Sequence, residues 1–320
     1  MENITMFWLG AVLILLAAVY LWLRFRTGQL ARQGLSLVPQ AGQIQPVANG
    51  ALHFVEAGDP GKPTLVLIHG LAGQLQHFTY ALKKPLSEDF HVIALDRPGC
   101  GYSRRDREDQ AALTEQARMI AEFLDLKKVK NPVLVGHSLG GAVALALALE
   151  RPDFVAGLAL ICPLTQPVEE PPEVFRPFQI RSPVLRRFIA RTFAVPLLNR
   201  TAQSVLRNVF APQVCPPDFL YRGGAALGLR PEAYMAASAD LVYSGPGIAA
   251  LAKRYDDLTM PREILYGAKD PLLDPALHGT SMEKFGFSVT MAAGLGHMLP
   301  ITNPESCETL IRRVAAQAWS

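Results

Sequence analysis

Apolar positions along the chain fall into three regimes. Met6 to Leu23 is one charge-free run, MFWLGAVLILLAAVYLWL, close to the roughly 20 residues that cross a hydrocarbon core. From Thr64 the pattern changes to short apolar or β-branched runs at Thr64 to Ile68, His91 to Leu95, Val133 to Val135, Val155 to Cys162, Glu263 to Tyr266 and Ser288 to Met291, which predict strands. Stretches of helical period lie between them. Leu113 to Leu126 puts Ala117, Ile120, Ala121 and Leu124 on one face, and Leu139 to Glu150 is apolar all round and closed by Pro152. Alternating strands and helices predict a mostly parallel sheet covered on both faces, with an edge hairpin around Ala51 to Glu56.

Between Leu164 and Leu258 this alternation stops. The segment is rich in proline and has amphipathic stretches but no convincing strand. Val184, Leu185, Phe188 and Ile189 recur at helical spacing with Arg186, Arg187 and Arg191 on the other side, and Leu198, Ala202, Val205, Leu206 and Val209 repeat the pattern. The chain therefore divides into an N-terminal membrane anchor (1–26), a mixed juxtamembrane linker (27–50), an α/β core in two pieces (51–164 and 259–320) and an inserted helical lid (165–258).

Trp8, Tyr20 and Trp22 lie near the ends of the apolar run, where aromatic rings favour the headgroup level. A cleaved secretory signal is the rival reading. Met1 to Thr5 carries Glu2 and no Lys or Arg, and no small-x-small site follows, so an uncleaved anchor is expected. Arg24, Arg26 and Arg32 come directly after it and by the positive-inside rule place the rest of the chain on the cytoplasmic side.

Composition narrows the partners. Across 320 residues the formal charge is only +3 and the basic residues are dispersed, which disfavours nucleic acid. Half the residues are hydrophobic and mean hydropathy is +0.18, an excess that sits largely at the N-terminus. Cys100, Cys162, Cys215 and Cys307 are far apart, with neither paired metal-ligand spacing nor the density of a disulfide scaffold, so no metal is expected.

The strongest chemical signal is Gly136-His137-Ser138-Leu139-Gly140, a G-x-S-x-G between the strand Val133 to Val135 and the helix from Leu139. A serine on such a tight turn exposes its Oγ, and glycine two residues to either side removes the Cβ atoms that would clash. His297, in Gly294-Leu295-Gly296-His297-Met298 after the last strand, is the expected general base. Asp270, in the turn after Glu263 to Tyr266, is the expected orienting carboxylate, with Asp274 as competitor. His69-Gly70-Leu71-Ala72-Gly73 follows the first core strand; there the backbone N–H of Leu71, with that of Leu139, would form an oxyanion hole, and His69 would brace the loop.

The order Ser138, Asp270, His297 and these contexts resemble the α/β-hydrolase family from Thr64 to the C-terminus. Asp96-Arg97-Pro98-Gly99-Cys100-Gly101-Tyr102-Ser103 resembles the family's D-x-P-G-x-G-x-S turn, which implies that Asp96 braces a turn and is not the catalytic acid. Within the family, serine at 138 speaks against the dehalogenase and epoxide hydrolase branches, which carry aspartate there. A membrane helix, His137 in the elbow and a helical lid make the chain similar to membrane-anchored monoacylglycerol lipases and bacterial membrane-anchored phospholipases. The resemblance implies a cofactor-free serine hydrolase of lipophilic carboxylic esters. Phe175, Phe178, Phe188, Phe193, Phe210 and Phe219 would then line an acyl channel or form the lid's own core, and the basic helix around Arg186 to Arg191 would lie on headgroups or face solvent. Two alternatives stay open: a carbon–carbon bond hydrolase using Arg181 or Arg191 to hold an acid, and a binding protein that has kept the fold.

Overall fold

Runs of Leu, Val and Ile without alternation need cover on both faces, and four of them form the middle of a sheet. The computed structural model describes residues 2–320. Its strands are β1 (Gln43–Val47), β2 (Gly50–Ala57), β3 (Thr64–Ile68), β4 (His91–Leu95), β5 (Arg104–Arg105), β6 (Val133–His137), β7 (Gly157–Ile161), β8 (Arg262–Gly267) and β9 (Ser288–Ala292). Every residue of β3, β4, β6 and β7 is buried. Strand order is β1-β2-β4-β3-β6-β7-β8-β9, with β5 paired to β2. The pairs β1/β2 and β2/β4 are antiparallel, and those from β4 through β9 are parallel.

Chain order reverses direction between β3 and β6. Loops leaving the carboxyl ends of these neighbours diverge there and open a crevice, the place where α/β sheets bind ligands. The helix Leu139–Glu150 is buried along nearly its whole length, so its lack of a polar face is satisfied by packing on both sides. Between β7 and β8 the described residues hold helices and no strand: Pro183–Ile189 passes through a wider π-type turn, Ala190–Ala194, into Val195–Phe210, and Pro231–Leu251 follows.

Two expectations need correction. Residues 27–50 are not an irregular linker: the N-terminal helix runs unbroken over Glu2–Leu37, and Gln43–Val47 is the edge strand β1. Leu23, Thr27, Leu30 and Gly34 recur at helical spacing and are buried against the body, and a Cβ at Gly34 would come within 2.3 Å of the Ala226 carbonyl oxygen. The second correction concerns the helix Pro183–Ile189, whose arginine side was expected to face outward. Arg187 and Arg191 are exposed, but Arg186 is fully buried, donating to Ser238 Oγ at 2.9 Å and Ile180 O at 2.7 Å and pairing with Glu108, while Val184, Leu185 and Phe188 are exposed.

Candidate active site

Leu71, Ser138, Asp270 and His297 are each carried by a turn or loop at the carboxyl edge of the sheet, after β3, β6, β8 and β9. Ser138 follows β6 with φ +55° and ψ −122°, a positive-φ conformation outside the left-handed helical well that costs a non-glycine residue about 1–3 kcal/mol. Backbone hydrogen bonds hold it: Ser138 N donates to Ile161 O at 3.0 Å, and its carbonyl accepts from Gly141 N at 2.9 Å and Leu164 N at 3.0 Å. The flanking glycines are sterically required. A Cβ on Gly136 would lie 2.6 Å from Gly141 Cα, and one on Gly140 would lie 2.1 Å from Ile68 O.

Asp270 and His297 come together. His297 Nδ1 is 2.6 Å from Asp270 Oδ2, and both side chains are almost wholly shielded from water. Asp270 Oδ1 accepts from the backbone N–H groups of Leu272 (2.8 Å) and Leu273 (3.1 Å), which fixes the carboxylate. Asp274 does other work: its Oδ1 accepts from Ala276 N at 2.9 Å and caps the short helix Pro275–His278. With Nδ1 committed to Asp270, Nε2 is the imidazole atom left for proton exchange. Neighbouring His137 donates Nε2–H to the His297 carbonyl at 3.1 Å, and burial, then the nearby His297, hold its pKa well below the ordinary value.

Opposite Ser138 lies the turn after β3. His69 Nε2 accepts from Arg97 N at 2.9 Å, so Nδ1 carries the proton and donates to Gly70 O at 2.9 Å. Burial and the adjacent Arg97 charge keep this ring neutral. His69 thus braces the loop. Gly70 packs directly on the serine, since a Cβ there would lie 2.9 Å from Ser138 Cβ. Asp96 is also a brace, accepting from Leu75 N (2.7 Å) and Tyr102 N (2.8 Å) and pairing with His53 Nδ1 (2.7 Å).

Two cavities meet at Ser138, His297, Leu71, Phe175 and Leu272. One, of about 560 Å³, is walled by Leu164, Leu241 and Ile248 and reaches the polar side chains of Glu169, Gln179 and Arg181. The other, of about 420 Å³, is lined by Leu198, Ala202, Val205, Leu206 and Val209, the apolar face legible in the sequence. Gln33 and Leu37 of the N-terminal helix border it too. Phe175, Phe178 and Phe219 line it, Phe210 is buried, and Phe188 and Phe193 are exposed. Arg191, the other arginine expected to hold an acid, is exposed and lines neither cavity.

Cys162, Asp270 and His297 place one donor atom each within 4.8 Å of one another. Burial, then the Asp270 charge, push the Cys162 thiol well above its usual pKa, and a protonated thiol is a poor metal ligand. These residues fit a hydrogen-bonded dyad better than a metal centre. Residues invisible to sequence reasoning are Arg97 and Asp240, whose buried ion pair at 2.7 Å joins the turn after β4 to the helix Pro231–Leu251. A lone arginine in a turn motif and a lone aspartate in a helix carry no signal that they meet.

Burial also lowers the pKa values of His77 and His278 to about 4. Each is neutral in the fold and regains an ordinary pKa near 6.5 when unfolded, so unfolding takes up protons between those values. Stability is therefore fully present above about pH 6.5 and declines as pH falls toward 4. His278→Asn, whose Oδ1 stands where Nδ1 does and can still accept from Thr165 N and Gln166 N, should show a shallower fall in melting temperature over that range. An unchanged pH slope would contradict this assignment.

Residues 63–304 match the family model described as alpha/beta hydrolase fold. Over 104 to 123 residues the chain matches three curated proteins at 35–38% identity, spanning 27–40% of their lengths. Longer matches are to (E)-2-((N-methylformamido)methylene)succinate hydrolase of Acinetobacter baylyi, 27% identical over 86% of this chain and 96% of that one, and to monoacylglycerol lipase ABHD6 of Mus musculus, 24% identical over 79% and 76%. Among solved structures, a membrane phospholipase A superposes with a TM-score of 0.65 at 24% identity, covering 98% of this chain and 99% of that one.

Proposed function

The chain belongs to the α/β-hydrolase fold family, and on that premise we propose that it is a membrane-associated serine hydrolase of lipophilic carboxylic esters. The observation that carries the reading is the His297–Asp270 pair at 2.6 Å, with His297 lining the same two largely apolar cavities as a serine held at φ +55°. His297 Nε2 takes the Ser138 proton as Oγ attacks the ester carbonyl, and the N–H groups of Leu71 and Leu139 stabilise the oxyanion. The imidazolium returns its proton to the departing alcohol. Water, deprotonated by the same imidazole, then attacks the acyl-serine and releases the carboxylic acid. Asp270 stabilises the imidazolium without itself becoming protonated.

Membrane association is supported by two surfaces on the same side. The N-terminal helix is long and apolar enough to cross a bilayer, and 6% of its most apolar window is buried in the protein. Beside it, the helix Pro183–Ile189 turns Val184, Leu185 and Phe188 outward together with Arg187 and keeps Arg186 inside, so apolar side chains predominate on its exposed face. Tyr20 stacks on Phe188 with ring centroids 6.3 Å apart, and the Thr27 hydroxyl donates to Thr192 O at 3.1 Å. The apolar cap face thus continues the apolar helix. Arg24, Arg26 and Arg32 favour the cytoplasmic side for the folded body.

The full chain should remain in the membrane pellet after carbonate or high-salt washing. Val184→Asp with Phe188→Asp should lower turnover of bilayer lipid several-fold while sparing a short soluble ester, because these side chains are exposed and line neither cavity at Ser138. Release by salt, or equal loss on both substrates, would contradict the membrane reading. A second reading rests on Arg181 in the larger cavity, which suits a small carboxylated substrate cleaved by the same serine, including a carbon–carbon bond hydrolysis. A series running from long-chain esters to short dicarboxylates separates the two by kcat/KM.

A further inference from the structure

Arg97 is a guanidinium with no exposure to water, an expensive placement unless its donors are satisfied. Three of its hydrogen bonds go to one loop: its backbone N to His69 Nε2 at 2.9 Å, Nε to His69 O at 2.8 Å, and Nη2 to Gly70 O at 3.0 Å. Its Nη1 serves Gln116 Oε1 and Asp240 Oδ2, each at 2.7 Å. We infer that Arg97 is the positioning residue of the oxyanion hole. It grips the Gly70 carbonyl and so aims the Leu71 N–H at Ser138; the inference rests on the assignment of Ser138 as nucleophile and Leu71 as donor.

The physical link is the peptide plane. Gly70 C=O and Leu71 N–H belong to one trans, planar unit and point in opposite directions, so fixing the oxygen fixes the amide. Gly70 lies against the serine, where a Cβ would be 3.3 Å from Ser138 Oγ. The other donors to this oxygen, His69 Nδ1 at 2.9 Å and Gly73 N at 3.3 Å, sit in the same loop and move with it. Arg97 ties that loop to the sheet. As a charged donor it also polarises the peptide, strengthening the N–H on the far side. Its counter-charge, Asp240, sits on the helix Pro231–Leu251, whose Ser244, Gly245 and Pro246 wall the larger cavity, so the oxyanion loop is registered to the cap.

Arg97→Lys in the full chain keeps a charge beside Asp240 but replaces the fork with one compact ammonium that cannot hold two carbonyls. Fluorophosphonate labelling carried to completion counts competent serines, and kinetics are read per labelled site. The expected result is kcat lower by about 10- to 100-fold with KM within a factor of about three, and affinity for an alkyl boronic acid, which mimics the tetrahedral intermediate, weakened in step with kcat. Asp240→Asn should move both quantities the same way by about 3- to 10-fold. Gln116→Leu cuts an Arg97 bond away from the loop and should leave kcat per site within about twofold. Arg97 acting only as a structural counter-ion predicts that lysine rescues: full kcat per site and unchanged boronate affinity in Arg97→Lys would overturn the inference. Should that variant not fold, native kcat and boronate affinity in Asp240→Asn overturn it instead. Failure of the unsubstituted protein to label at all would strike at the Ser138 assignment and not at Arg97.

Discussion

Replacing Ser138 by alanine is expected to lower kcat on any ester substrate by about 10⁴- to 10⁶-fold while leaving the melting temperature unchanged. The loss is large because the nucleophile and its base act as a unit, and what remains is the rate supported by binding and the oxyanion hole alone. Stability should hold because alanine keeps the Cβ and carries the same φ penalty at +55°, and the bonds that define the turn are made by backbone atoms. Thermal unfolding and steady-state kinetics on one preparation check both halves. Retained turnover would remove Ser138 from the chemistry, and lost activity with a collapsed melting temperature would make the variant uninformative about mechanism.

Asp270→Asn is expected to cost on the order of 10³- to 10⁴-fold in kcat. The amide would present either a donor that cannot satisfy His297 Nδ1–H or an uncharged acceptor that no longer stabilises imidazolium, and the backbone N–H groups of Leu272 and Leu273 would compete for its oxygen. Asp274→Asn is the internal comparison. That residue caps a short helix through Ala276 N, and asparagine caps as well as aspartate, so kcat should stay within a few-fold and stability within about 1 kcal/mol. The larger loss at position 274 would reverse the assignment of the carboxylate.

The core and the three proposed triad residues were legible in the sequence because each leaves a local signature. Apolar runs mark β3, β4, β6 and β7, the elbow needs glycine at 136 and 140, and Asp270 and His297 stand in turns after late strands. What stayed hidden depends on contacts between distant segments. The helix through Leu37 packs by Leu23, Thr27, Leu30 and Gly34, and two of those four are not hydrophobic, so its inner face left no apolar stripe. On the helix Pro183–Ile189 the period was plain but its direction was not, since a periodic pattern says which residues share a face and not which face meets the core. Glu108, Ser238 and the Ile180 carbonyl turn Arg186 inward, and the first two are distant from it in the chain. The grip of Arg97 on Gly70 was hidden for the same reason.

The measurement that tests the central claim most directly is mass spectrometry of the full-length protein after reaction with a fluorophosphonate, with and without acid-quenched turnover of a slow long-chain ester. A covalent acyl-serine mechanism requires one adduct per chain, located on the peptide containing Gly136-His137-Ser138-Leu139-Gly140, and a transient acyl mass on the same peptide during turnover. Both should be absent from the Ser138→Ala protein. Ester hydrolysis proceeding at full rate with no adduct on that peptide, or with the adduct on another residue, would contradict the account.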